Sequence, residues 1–218
     1  MIEKDIKERI QFEHKLDQLQ KIIMDGVAYF TLWRCLMVDD DNTAQALNRY
    51  KGIFSPARNA LFWSALLQLS KVYDKDTRTV SLVNLLKLAK NNTTLVPYAN
   101  TEELEQLQQS IDNNTEILGR LKSFRDQRLA HYDANLSGDI QLPYGEIRVL
   151  LEQTQSIYKS LKIYHEKMVV SFDYIVKQIE FHASNVIRLV VEEREKDIRK
   201  INEANQKIAD ICNVAKDI

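Results

Sequence analysis

Apolar residues recur at intervals of three and four along much of the chain, and this spacing constrains the fold more than any other feature of the sequence. It places apolar side chains on one face of an α-helix. Residues that interrupt helices are scarce, because the 218 residues include only five glycines and three prolines. Residues that favour helices, such as Leu, Ala, Glu and Lys, are abundant. The sequence therefore predicts an all-α fold.

The chain is long enough for one domain with a sizeable core, so we expect a single helical domain over 1–218 with an extended C-terminal helix over 186–218. No segment reaches the roughly 18 uncharged apolar residues that a membrane span needs. The N-terminus is charged throughout and lacks the apolar stretch of a signal peptide. We therefore expect a cytoplasmic protein that does not associate with a membrane.

Motifs for metal or cofactor chemistry are absent from the sequence. It contains no Gly-rich phosphate loop, CxxC pair, HExxH or Ser-His-Asp order. Cys35 and Cys212 are far apart and are predicted to be reduced packing residues. His14, His165 and His182 are isolated in charged surroundings, which predicts surface or boundary positions. We therefore predict no metal site and no cofactor, and a net charge of −1 argues against a broad nucleic-acid-binding surface.

Turn and capping residues predict where helices begin and end. Asp25-Gly26 is expected to end or kink a helix that starts near Ile2, and a second apolar run follows up to Val38. The later predicted starts are Asn42 or Thr43 as an N-cap, Ser55-Pro56 as a helix start, Ser81 as a cap, Thr101, Tyr144 and Phe172. The helix from Thr101 weakens near residues 112–114 and is expected to end between Tyr132 and Gly138.

Residues 119–135 contain cations where a helix normally packs. On an ideal helix an arc of roughly 160° is apolar except for Arg125, Arg128 and His131. The other members of this arc are Ile117, Leu118, Leu121, Phe124, Leu129 and Tyr132, and the opposite arc holds Arg120, Lys122, Ser123, Asp126 and Gln127. A buried cation is costly unless it is paired or reaches water, so these cations need an explanation.

Two explanations remain open for this face. In the first, the arginines pair with acidic side chains of neighbouring helices, and His131 hydrogen-bonds the last carbonyls of its own helix. In the second, the face opens onto a cleft where Arg125 binds a phosphate oxygen and His131 transfers a proton. That chemistry suits metal-free RNA cleavage, because histidine titrates near neutral pH and arginine keeps its charge.

The spacing of Arg125 and His131 limits the second explanation. Six residues of regular helix separate them by about 9 Å along the axis and about 120° around it. A neighbouring helix, a distortion near the helix end or a second copy of the chain is needed to bring them together.

Two other segments have a charged or apolar pattern of their own. In residues 74–78 two aspartates and Arg78 share one turn, and local pairing is the simplest interpretation, with contact to a ligand as the alternative. In the tail, a heptad pattern is formed by Val191, Ile198, Asn205 and Cys212, followed three residues later by Arg194, Ile201, Ile208 and Ala215. Either pairing with a second chain or docking on its own bundle would produce this pattern.

Arg125, Asp126 and His131 resemble the motif of HEPN domains, in which an arginine and a following polar residue precede a histidine by four to six intervening residues. The segments ARNALFWSALLQLSKVYDKDTRTVSLVNLL and LKSFRDQRLAHYD resemble the AbiU-type abortive-infection branch. This resemblance covers about 55–135 and implies a HEPN-like core over 45–185 within an antiparallel helical bundle.

The resemblance implies a homodimer in which two motifs face each other, and metal-independent endoribonuclease activity in phage defence or as a toxin. Arg125 would bind the scissile phosphate, Asp126 would help to position it, and His131 would transfer a proton. The further candidates for RNA binding are Arg120, Lys122, Arg128 and Tyr132.

HEPN toxins that a nucleotidyltransferase antitoxin neutralises carry a tyrosine two residues after the histidine, where this chain has Asp133. Tyr132 follows the histidine directly, so regulation through a modified tyrosine is not expected, although an antitoxin protein remains among the implied partners. The alternative function is a catalytically silent HEPN-like module that mediates protein interaction or dimerisation.

Overall fold

The computed structural model describes the backbone of residues 2–127 and 142–214, with side chains over 5–127 and 142–209. In these segments all regular structure is helical, which confirms the all-α prediction. The helices are α1 Ile2–Leu36, α2 Asp41–Arg49, α3 Lys51–Val72, α4 Leu82–Asn91, α5 Thr101–Asp112, α6 Thr115–Arg125, α7 Tyr144–Glu166 and α8 Asp173–Val214, with a short 3₁₀ turn at Thr93–Leu95.

The core lies around α1, which packs along α3 and also contacts α4, α7 and α8. Its apolar face contributes Phe12, Leu16 and Leu19, all fully buried. Each such side chain contributes about 1.5–3 kcal/mol when it leaves water. Helix α6 packs on α3, so the end of α6 lies beside the elements of this core.

Gly26 lies inside α1 and does not end it, so the predicted helix end at Asp25-Gly26 was wrong. A Cβ atom at Gly26 would lie 3.3 Å from the Cβ atom of Gln68 on α3. The glycine therefore lets two helices approach closely, and the surrounding contacts offset its low helix propensity.

Several helix starts differ from the predicted ones. Asp40, rather than Asn42 or Thr43, caps α2 by accepting a hydrogen bond from the Thr43 amide at 2.8 Å. Helix α3 begins at Lys51, and Pro56 lies inside it rather than at its first position. Pro56 has no N–H to donate to the carbonyl of Gly52, but Gly52 is exposed, so water can hydrogen-bond that carbonyl instead. Ser81 caps α4 as predicted.

The predicted long helix from Thr101 is two helices, because Asn113 and Asn114 separate α5 from α6. Asn114 donates from Nδ2 to the Ser110 carbonyl at 2.7 Å and to Gln153 on α7 at 2.6 Å. The break lets α5 pack on α4 while α6 packs on α3. Helix α5 starts at Thr101 as predicted, and Asn100 caps it in a capping box with Glu103.

His165 is buried, so its predicted surface or boundary position was wrong. Its Nδ1 atom contacts the Leu95 carbonyl oxygen, which can only accept, and therefore the proton lies on Nδ1. The ring also packs edge-on against Phe12.

Helix α8 packs on α1 and α2 over its first part, where Arg34 pairs with Glu180 and Arg49 pairs with Asp197. Beyond Asp197, Ile198, Ile201 and Ile208 are exposed. The helix crosses residue 186 without a break, and the domain boundaries near 45 and 186 stay predictions. None of the helices in the described segments combines the length and the apolar character that crossing a bilayer requires.

Candidate functional site

The packed face of α6 is the one predicted from its periodicity. Ile117, Leu121 and Phe124 are buried, whereas Lys122 and Asp126 on the opposite arc are exposed. Arg125 is the last residue of α6 and lies at the edge of the packed face, half-buried. The fold thus places a guanidinium group where an apolar helix face ends.

Regular α-helical geometry stops at Arg125, and Asp126 and Gln127 continue as a π-helical turn. An uninterrupted α-helix up to Tyr132 or beyond is therefore contradicted at Asp126. The separation of about 9 Å between Arg125 and His131 was calculated for regular geometry, and a distortion near the helix end was one of the three predicted ways to bring the two residues together. Arg128, His131 and Tyr132 lie outside the described residues.

Two carboxylates contact the Arg125 guanidinium from different elements. Its Nε atom donates to Asp126 Oδ1 at 2.9 Å, and its Nη1 atom lies 3.6 Å from Asp74 Oδ2, just beyond the end of α3. Among the residues that the structure describes, none accepts a hydrogen bond from Nη2. Arg125 thus pairs with acidic side chains, although Asp126 is its own neighbour and Asp74 lies in the α3–α4 connection rather than on a neighbouring helix. The pairing uses only part of the guanidinium.

Arg125 also lines a cleft of about 750 Å³ between the α3–α4 connection and the α5–α6 pair. Lys122 lies on the same wall, and Leu118 and Leu121 contribute apolar surface. Gly119 lines the cleft as well, and a Cβ atom there would meet no heavy atom within 4 Å. Arg125 is thus both paired and adjacent to open space, which combines elements of the two explanations.

The charges that line this cleft balance. Three cations line it, namely Lys75, Lys122 and Arg125, and so do three aspartates, namely Asp74, Asp76 and Asp112. An anion would therefore be attracted by a few closely placed donors rather than by a broad positive field. An arginine with a donor edge not used by its neighbours suits a phosphate or carboxylate ligand.

The α3–α4 connection is held by its own side chains, which confirms the prediction of local pairing. Arg78 donates from Nη2 to Asp76 Oδ2 at 2.5 Å, and its backbone amide donates to Asp76 Oδ1 at 3.0 Å. These hydrogen bonds from Arg78 lower the pKa of Asp76 to about 2. The carboxylate of Asp76 is therefore charged throughout the physiological range.

The candidate RNA-binding residues of α6 separate into two groups. Lys122 lines the cleft beside Arg125, whereas Arg120 pairs with Glu146 at the start of α7. Lys122 and Arg120 are two residues apart on a helix, so their side chains point in directions about 160° apart. Arg120 is therefore not among the residues that line the cleft, and its role in RNA binding stays a prediction.

Sequence reasoning missed the contact between Asp74 and Arg125. Asp74 lies in the turn that was interpreted as locally paired, and nothing in the local pattern indicates a contact with a helix far along the chain. Only the packing of α6 on α3 brings the two side chains together.

The chain matches the family HEPN_AbiU2, described as AbiU2, over residues 10–186. The match extends well beyond the 55–135 segment that carries the sequence resemblance and includes most of α1, α7 and the first part of α8. No curated protein and no solved structure gives a significant match. Because the family match covers more than half of the chain, this protein belongs to the AbiU2 family, the abortive-infection branch of HEPN domains that the motif around Arg125 indicated.

Proposed function

We propose that this chain is a metal-independent endoribonuclease of the HEPN type that acts in phage defence or as a toxin. The observation that carries the proposal is the position of Arg125 at the end of α6, beside a cleft and with Nη2 unused by any described residue. Membership of the AbiU2 family supports the same proposal, because the segment that resembles the HEPN motif begins at this arginine.

In the proposed reaction a general base takes the proton of a ribose 2′-hydroxyl, and the oxygen attacks the adjacent phosphorus. The bond to the 5′-oxygen breaks, an acid protonates that oxygen, and the products are a 2′,3′-cyclic phosphate and a 5′-hydroxyl. Arg125 binds the phosphate oxygens that gain charge, and Asp126 fixes the Nε edge of the guanidinium. His131 transfers a proton.

A second copy of the chain is part of the proposal. Asp126 begins a π-helical turn, so regular helix geometry does not place His131 relative to Arg125. In a homodimer the two motifs would face each other across the symmetry axis, as the family resemblance implies. RNA is the proposed substrate, and an antitoxin protein is a further proposed partner.

The test is RNA cleavage by the purified protein in EDTA, with His131→Ala as the key variant and His182→Ala as the control. His182 is an exposed histidine on α8, far along the chain from the motif. We expect the wild type and His182→Ala to leave cyclic phosphate ends and His131→Ala to lose at least about 100-fold in rate, as for loss of a general acid or base. Equal cleavage by both histidine variants, or none by the wild type on a broad set of RNAs, would contradict the proposal.

The second candidate function, a catalytically silent module that mediates interaction or dimerisation, is favoured by the end of α8. Ile198, Ile201 and Ile208 are exposed there and belong to the heptad pattern. Deletion of residues 198–218 followed by analytical ultracentrifugation tests it. Self-association of the intact chain that is lost in this deletion, together with a complete lack of RNA cleavage by the intact chain, would favour this function over the first.

A further inference from the structure

We infer that Asp74 is a positioning residue that holds the Arg125 guanidinium for phosphate binding. The inference rests on the proposed function in one respect, the binding of the scissile phosphate by Arg125. Asp74 itself touches no reacting atom in this scheme and acts through Arg125 alone.

The two carboxylates hold different edges of one planar group. Asp126 accepts from Nε at 2.9 Å, and Asp74 lies 3.6 Å from Nη1. A planar group restrained at two edges loses rotation about its last bonds, so the remaining nitrogen, Nη2, points in a defined direction. The longer contact to Asp74 is a charge attraction rather than a tight hydrogen bond, which restrains Arg125 without using up its capacity to donate.

The side chain of Asp74 is itself held by the backbone. Its Oδ1 atom accepts the Asp76 amide at 3.0 Å, which leaves Oδ2 to face Arg125. The Asp76 carbonyl in turn accepts from Asn84 Nδ2 on α4 at 2.7 Å and from the Thr79 hydroxyl at 2.7 Å. A continuous set of hydrogen bonds therefore connects the start of α4 to the carboxylate that faces Arg125.

Asp126 cannot provide the same restraint alone. It follows Arg125 directly, begins the π-helical turn, and its side chain is 49% exposed, compared with 27% for Asp74. A carboxylate on the same short segment moves with the arginine, whereas Asp74 belongs to a separate element. Asp74 thus ties the end of α6 to the α3–α4 connection.

The experiment compares Asp74→Ala and Asp74→Asn with Asp112→Asn, each in the wild-type and Arg125→Ala backgrounds. Asp112 lines the same cleft but hydrogen-bonds Gln108, so its variant removes a similar charge without touching Arg125. We expect Asp74→Ala to lower kcat about 10-fold with little change in KM, and Asp74→Asn to lower kcat less. Asp112→Asn removes a negative charge from the cleft, so it should change KM at most and leave kcat as in the wild type. In the Arg125→Ala background Asp74→Ala should cause no further loss, as in a double-mutant cycle of coupled residues.

A second measurement does not depend on cleavage. The Arg125 Nε–H signal in ¹⁵N NMR spectra, assigned by its loss in Arg125→Ala, should exchange with water several-fold faster in Asp74→Ala than in the wild type or in Asp112→Asn. If the wild type does not cleave RNA, the proposed function fails while this signal still tests the restraint. Unchanged exchange, a loss of kcat that persists without Arg125, or faster cleavage by Asp74→Ala would overturn the inference, the last because Asp74 would then compete with the phosphate.

Discussion

Two regions of the molecule place a partly or fully buried cation between two carboxylates, and they differ in whether the cation keeps a donor group that its neighbours do not use. Lys162 on α7 has a side chain that is only 5% exposed and contacts Asp17 at 3.0 Å and Glu166 at 2.5 Å. Arg125 has a side chain that is 29% exposed, has one short and one long contact, and lies beside a cleft. The first cation is satisfied inside the bundle, whereas the second keeps a donor group for another molecule.

Pairing alone therefore does not distinguish a structural cation from a functional one. Burial lowers the pKa of Lys162, but its hydrogen bonds with Glu166 and Asp17 outweigh this effect and raise the pKa overall. The lysine therefore stays charged wherever the protein is folded near neutral pH. Geometry and access to open space, rather than the presence of a carboxylate, separate the two sites.

The largest expected effect is on activity and comes from Arg125→Ala. Loss of a cation that stabilises the transition state lowers kcat by about 10²–10³-fold, while the free energy of unfolding changes by less than about 1 kcal/mol, as for partly exposed ion pairs. Single-turnover RNA cleavage and urea denaturation measure the two quantities. The control is Arg148→Ala, which removes an exposed arginine on α7 paired with Glu152 and should change neither cleavage nor the free energy of unfolding. If Arg125→Ala lost stability and activity to the same extent, Arg125 would be a structural cation like Lys162.

Lys162→Ala should have the opposite profile. It leaves Glu166 partly buried without its partner, which costs about 3 kcal/mol of unfolding free energy. This is the low end for broken buried pairs, because Asp17 is 54% exposed and reaches water. Cleavage per folded molecule should not change. Urea denaturation monitored by circular dichroism provides the measurement, with the exposed Lys200 replaced by Ala as the control. A Lys162→Ala variant that is stable but cleaves less RNA would show that Lys162, and not only Arg125, serves the reaction.

Local patterns predicted one of these regions and not the other. The arc of Ile117, Leu121 and Phe124 is a property of one helix, so periodicity located both the buried face of α6 and the exceptional position of Arg125. Lys162 and His165 were not recognised as buried, because their partners Asp17 and the Leu95 carbonyl come from distant parts of the chain. Gly26 misled the prediction for the same reason, since its purpose lies in the approach of α1 to α3.

Gly119 tests whether the open space beside Arg125 is used, with a smaller expected effect. Gly119→Ala should stabilise the protein by about 0.5–1 kcal/mol through helix propensity and leave cleavage intact, because a Cβ atom meets nothing within 4 Å. Gly119→Phe should fill part of the cleft and weaken RNA binding about 10-fold. Filter binding with an RNA that carries 2′-deoxy substitutions measures the affinity. Gly145→Phe, at an equally open glycine on α7, controls for the added bulk. Equal binding by both Phe variants would show that RNA does not enter the cleft.

The smallest expected effect concerns the connection that holds Asp74. Hydrogen bonds from Arg78 lower the pKa of Asp76 to about 2 from 3.8, so the folded state binds this proton less readily than the unfolded state. The contribution to stability is therefore fully present above pH 3.8 and is lost as the pH falls through about 2. The difference in melting temperature between the wild type and Asp76→Asn should thus be constant from about pH 5 to 8 and shrink in acid. Gly119→Ala serves as the comparison, because it changes no titratable group and its effect on the melting temperature should therefore not depend on pH. If the difference in melting temperature for Asp76→Asn persisted unchanged to pH 2, the pair of Asp76 with Arg78 would not stabilise the α3–α4 connection. That pair would then not support the position of Asp74.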